Sequence, residues 1–167
     1  MNESTELAAL RVKATAGDVY AQVELGVAYA LGEGVPQDDA QAAALYRKAA
    51  DQGDAGAQCN LGLMYANGEG VPQDYVEAVS WYRQAADQGD AFAQFNLGNA
   101  YYSGWGVPQD YVEAHKWRNL AASRTSTENR KRYGDARDEV AEKMTPQQIA
   151  DAQQRATDWL TEFEQRN

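Results

Sequence analysis

The side chains able to do chemistry are few, and their placement argues against catalysis. His115 is the sole histidine. A general base needs an orienting group and a nucleophile within hydrogen-bond reach, and the sequence offers no such set around it. A surface or packing role on a helix is the simpler reading. Cys59 is the sole cysteine, so no intramolecular disulfide can form. Lowering its thiol pKa would take a basic neighbour; its sequence neighbours are not basic, and it reads as a small apolar lining residue. Asp38-Asp39 and the Asp/Glu pairs that follow them have the residue types for acid–base work, but they recur at a fixed interval, as structural residues do. Gly32-Glu33-Gly34 lacks the third glycine and the preceding strand of a nucleotide loop. Arg130-Lys131-Arg132 is short and followed by acids, which suits a solvated helix face. The expectation is a chain with no cofactor, no metal site and no enzymatic activity.

What dominates the sequence is a repeat. Gly17, Gly53 and Gly89 begin equivalent units 36 residues apart. Leu25-Gly26, Leu61-Gly62 and Leu97-Gly98 recur at that interval. So do Gly34-Val35-Pro36-Gln37-Asp38, Gly70-Val71-Pro72-Gln73-Asp74 and Gly106-Val107-Pro108-Gln109-Asp110. A fixed period of this size marks stacked supersecondary units, each too small to bury its apolar face alone.

The middle unit shows how each is built. Asp54 suits the N-cap of a helix over about 55–67, where its carboxylate accepts from orphan amides and complements the positive end of the dipole. Ala57, Leu61, Met64 and Tyr65 fall on one side of that helix. Gly68-Glu69-Gly70 stops it. Asp74 opens a second helix running to about Asp87, with Glu77 placed as in an Asp variant of the capping box. Alanine pairs at 49–50, 85–86 and 121–122 allow close helix approach, and Tyr46, Trp81 and Trp117 fill the space between pairs. No segment alternates as a strand does.

The ends differ from the interior. Residues 5–16 resemble a lone second helix. A charged helix is expected over about 128–143. Thr145-Pro146-Gln147-Gln148 then starts a last helix, with Thr as cap, Pro in the first position and Gln in the third. The organisation expected is a single solenoid domain: an N-terminal cap helix at 1–16, repeats at 17–52, 53–88 and 89–124, and C-terminal capping helices at 125–167.

The pattern Ala-Gln-x-x-Leu-Gly-x-x-Tyr-x-x-Gly-x-Gly-Val-Pro-x-Asp-Tyr-x-x-Ala-x-x-Trp-Tyr-x-x-Ala-Ala is written at 21–50, 57–86 and 93–122. It resembles the Sel1-like repeat, a bacterial relative of the tetratricopeptide repeat. The first copy departs at Asp39 and Leu45, the third at Trp105 and Arg118. The resemblance implies an all-α fold, a right-handed α-solenoid of antiparallel helix pairs with first helices on the concave side. It implies a scaffold or adaptor in a protein complex, without fixing a ligand.

Carried over residue by residue, the family pattern places one stripe of each first helix on the concave wall. The first repeat offers Tyr20, Val23, Val27, Ala30 and Leu31. The second offers Gly56, Cys59, Leu63, Ala66 and Asn67, and the third Phe92, Phe95, Asn99, Tyr102 and Ser103. These positions vary between units while the core positions repeat. Asn60 and Asn96 are placed to hydrogen-bond a peptide backbone, and Trp105, in place of Glu33 and Glu69, could anchor a partner from a loop tip. The alternative for Phe92, Phe95 and Tyr102 is packing against the C-terminal helices. A basic clamp for a peptide carboxylate is not expected, since the first helices of the repeats carry no Lys or Arg.

Bulk properties narrow the partners. The formal charge is −10, which argues against nucleic acid and anionic membrane surfaces. No apolar run approaches the roughly 20 residues of a membrane span. Met1 to Glu6 is polar and acidic, unlike a signal peptide. The expected location is cytoplasmic, with periplasmic or secreted as the alternative if a leader has been removed. The expected function is binding of a peptide or protein segment in the concave groove, with a homodimer possible. A second reading is an acidic inhibitor or immunity-type protein that neutralises a basic partner.

Overall fold

The computed structural model describes residues 5–166. All regular structure among them is helical: α1 Thr5–Thr15, α2 Val19–Leu31, α3 Asp39–Asp51, α4 Ala55–Asn67, α5 Tyr75–Asp87, α6 Ala91–Ser103, α7 Tyr111–Arg124, α8 Thr127–Ala141 and α9 Pro146–Arg166. First helices α2, α4 and α6 start at 19, 55 and 91; second helices α3, α5 and α7 start at 39, 75 and 111. Both series keep the 36-residue period of the sequence.

Aspartates set the helix starts. The carboxylates of Asp18, Asp54 and Asp90 accept from the amides of Ala21, Ala57 and Ala93, each at 2.7 Å. Asp38 accepts from Gln41 at 3.0 Å, Asp74 from Val76 and Glu77 at 2.9 and 3.1 Å, and Asp110 from Val112 and Glu113 at the same two distances. Each carboxylate satisfies donors that the first turn leaves without helical partners. The Glu113 side chain does not close a reciprocal capping box: it takes Trp117 Nε1 at 3.1 Å and Arg155 Nη1 at 2.9 Å instead.

The first helices end on glycine. Gly32, Gly68 and Gly104 have φ of 71°, 74° and 73°, the left-handed region that other residues enter at a cost. The chain then folds back. The amides of Asp38, Asp74 and Asp110 donate to the carbonyls of Tyr29, Tyr65 and Tyr101, each at 2.9 Å. A second recurring tie is buried: Gln22, Gln58 and Gln94 donate through Nε2 to the carbonyls of Ala14, Ala50 and Ala86 at 3.1, 3.2 and 3.1 Å. Each links the start of a first helix to the end of the helix before it.

The chain divides into two compact units, Met1–Trp81 and Tyr82–Asn167, the division falling within α5. In the first, one core joins Tyr46, Leu61, Met64 and Trp81 through the alanines of α3. A smaller one gathers Leu7, Leu25, Val35 and Leu45. A Cβ on Gly26 would lie 2.8 Å from the Tyr46 ring, so glycine there is what lets α3 seat its aromatic against α2.

In the second unit Leu97 and Leu120 are fully buried, worth about 1.5–3 kcal/mol each. Phe95, Ala121, Ala122 and Tyr133 form a cluster among α6, α7 and α8. Helix α9 lies on α7 through an edge contact of Trp117 with Trp159, centroids 6.1 Å apart. Thr145 caps α9 reciprocally: the Gln148 amide donates to its hydroxyl at 3.2 Å, and its own amide donates to Gln148 Oε1 at 2.8 Å. Helix α8 is not an unrelated cap. It begins at Thr127, 36 residues after α6, which puts Ser126 in the register of Asp90 and Tyr133-Gly134 in that of Leu97-Gly98.

Candidate interaction surface

On α2, Tyr20 and Leu31 are 11 residues apart, three turns, and so share a face. They are 72% and 63% exposed. Val23, Val27 and Ala30 lie between them on the same side and are half-buried against the core. The stripe of α4 is more closed and more polar. Cys59 is buried, Asn60 and Leu63 are half-buried, and Asn67 is exposed and donates to Glu69 at 3.2 Å.

On α6 the stripe is divided between two roles. Phe95 is buried and stacked on Tyr133 of α8, centroids 4.2 Å apart, with the Arg132 guanidinium 5.2 Å from its ring. The Tyr102 hydroxyl donates to Glu139 of α8 at 2.8 Å, and this bond is the main reason its pKa is raised. Asn99 accepts from Arg118 Nε at 3.1 Å. Asn96 is half-buried, its Nδ2 enclosed with no partner among the described residues. Phe95 is therefore held by α8, and Tyr102 and Asn99 are engaged inside the unit. Phe92 and Trp105 keep 40% and 53% of their surface exposed.

Arg118 organises this end. It occupies the place of Tyr46 and Tyr82 in the other repeats, and it is buried. Besides Asn99, its Nη1 donates to the Ala136 carbonyl at 2.7 Å, and its guanidinium lies 4.5 Å from the Tyr102 ring. Glu139 stands 3.9 Å away. Burial lowers its pKa, and the Glu139 charge opposes that shift. In the sequence its only signal is the departure from the repeat, a lone arginine where the other two copies carry tyrosine.

His115 is buried on α7, with Nδ1 lacking a partner among the described residues. Burial lowers its pKa first, and Arg137 of α8 lowers it further against the opposing Asp138. This is a packing position and not a surface one. No group of three or more His, Cys, Asp or Glu side chains among the described residues is placed to hold a metal ion. No helix among them is long and apolar enough to cross a membrane.

Helix pairs repeated at 36 residues, each closed by the same cap, loop and buried glutamine, define an all-helical repeat protein of the α-solenoid class. The Sel1 repeat model matches residues 19–54, 55–90 and 91–126, and the chain belongs to the Sel1 repeat family. Members are in general protein–protein interaction scaffolds and typically non-catalytic. Among solved structures the chain is similar to c5321, a protective antigen present in uropathogenic Escherichia coli strains and displaying an SLR fold. Identity is 47% over 70% of this chain, with a TM-score of 0.69, and the match spans 25% of that protein's length. It is also similar to a Sel1 repeat protein from Oxalobacter formigenes, with 41% identity, TM-score 0.68, and coverage of 79% of this chain and 99% of the other. No curated protein matches the sequence.

Proposed function

We propose that the chain is a non-catalytic scaffold that holds a protein or peptide segment on the exposed stripes of its first helices. The observation that carries this reading is the placement of large apolar side chains left in solvent. Tyr20 and Leu31 on α2, Phe92 on α6 and Trp105 on the following loop are all 40% or more exposed. Aromatic side chains bring large contact area at low conformational cost, as binding hot spots do. Val23, Val27 and Leu63 would extend the apolar surface in the first unit, and Asn67 would add a hydrogen-bonding edge.

The acidic-inhibitor reading rests on net charge alone. Six of the 25 acidic residues are the helix-capping aspartates, so part of that charge serves the fold. The apolar stripes are the more specific feature.

The test is affinity capture from the native host with wild type, Tyr20→Ala/Leu31→Ala and Phe92→Ala/Trp105→Ala. A partner retained by wild type should be depleted about tenfold or more from at least one variant, as loss of a hot-spot pair predicts. Equal recovery from both folded variants would remove the stripes from the account.

A further inference from the structure

Between α7 and α8 lies a cleft of about 480 Å³, lined by Asn119, Ala122, Ser123, Arg130, Gly134 and Arg137. It sits where the repeat lattice changes composition. Arg130 stands 36 residues after Gln94, in the register of Gln22, Gln58 and Gln94. Those three glutamines are buried, and each reaches the alanine carbonyl eight residues earlier. Eight residues before Arg130 is Ala122, which lines the cleft. In the fourth register a buried amide has become an exposed guanidinium, and the space is open.

A glycine contributes to the opening. Gly134 follows Gly26 and Gly98 in register. A Cβ on those two would meet Tyr46 at 2.8 Å and Arg118 at 2.7 Å, whereas on Gly134 it would meet nothing within 4 Å. Helix α9 packs on α7 through Trp159, and no side chain fills the space a Cβ on Gly134 would occupy.

The other three cations of α8 are engaged. Lys131 pairs with Asp135 at 2.5 Å. Arg132 lies over Phe95 and Tyr133. Arg137 holds Asp138 through Nε and Nη2 at 2.8 and 2.7 Å, and turns Nη1 to Asn119 Oδ1 at 3.2 Å. No described residue pairs with the side chain of Arg130. Its guanidinium is a donor group of the kind that takes oxyanions, often in bidentate fashion, and Arg137 Nη1, held only by the neutral Asn119 amide, is the one Arg137 donor an anion would take over from an uncharged partner. On the facing wall the Asn119 amide oxygen takes Arg137 Nη1, and the Ser123 hydroxyl donates to the Leu120 carbonyl at 2.8 Å.

We infer that the α7–α8 cleft is an oxyanion-binding site, taking a carboxylate or phosphate group between Arg130 and Arg137. It is distinct from the apolar stripes and does not depend on them. In a chain of net charge −10, it gives an acidic ligand a local positive target.

The experiment is an NMR titration of the full chain, following Arg Nε–Hε signals and the His115 ring, with inorganic phosphate in one arm and triglutamate in the other. Saturable shifts of Arg130 and Arg137 are expected in at least one arm. Phosphate alone would point to a tetrahedral ligand, triglutamate alone to an acidic peptide. His115 should titrate at higher pH when the site is filled, because the anion offsets the charge of Arg137. Arg130→Gln restores the residue of the other repeats at an exposed position and should weaken binding at least about tenfold, the loss of one charge-assisted contact. Absence of saturable shifts in both arms, or unchanged affinity in Arg130→Gln, would overturn the assignment.

Discussion

Single side chains decide how closely the helices of a pair approach. Gly98 is the clearest case: a Cβ there would come within 2.7 Å of Arg118 Cγ and 3.2 Å of the Ala114 carbonyl. Gly98→Ala should therefore cost about 1–3 kcal/mol, the usual range for overpacking, read as a lowered urea midpoint. Arg118→Ala should cost about 1–3 kcal/mol, since it leaves the Asn99 amide oxygen and the Ala136 carbonyl without their donor, while Glu139, half-exposed, keeps the Tyr102 hydroxyl. His115 makes stability depend on pH. Its folded-state pKa lies below the ordinary 6.5, so the unfolded chain binds the proton more readily. Stability is full above about 6.5 and falls as pH drops from there toward the folded-state pKa. Urea unfolding from pH 7.5 to 5 should show that loss, reduced in His115→Phe. The sequence leaves His115 between surface and cap-packing roles; the signal that decides is its register, shared with Ala43 and Val79, which are both apolar and buried.

At the scale of elements the repeat was legible almost throughout. The helix over 55–67, the helix from Asp74 to Asp87 and the start of the last helix at Pro146 all follow from caps, glycine stops and one proline, which act within a few residues. What the sequence leaves open depends on distant partners. Phe95 sits in the register of Val23 and Cys59 and reads equally as a stripe residue or as packing against the C-terminal helices; it packs on Tyr133 of α8. Nothing within its own repeat decides between the two. The continuation of the period into α8 was missed because Asp had become Ser at position 126 and Leu had become Tyr at position 133. The Ser126 side chain makes no cap hydrogen bond. Ser126→Asp, which restores the capping residue of the other first helices, should stabilise the chain by about 0.5–1 kcal/mol. Thermal denaturation would show it as a raised midpoint; an unchanged or lowered one would separate α8 from that register.

For the molecule as a whole, recurrent residues build the helix pairs, and function is assigned to positions the recurrence leaves alone. Aspartate caps, glycine stops and buried glutamines return in each repeat with nearly the same distances. Tyr20 and Phe92 share one register with Gly56 between them, Leu31 and Trp105 vary between repeats, and all four keep 40% or more of their surface in solvent. The central claim is that these side chains are the contact surface. Covalent oxidation of aromatic side chains, compared between the chain alone and the chain with a captured partner, tests it most directly. Tyr20, Phe92 and Trp105 should be readily oxidised in the chain alone, and at least one of the three should be protected several-fold in the complex, with Tyr75 on a second helix unchanged. Protection of Tyr75 with all three stripe aromatics still reactive would contradict the account.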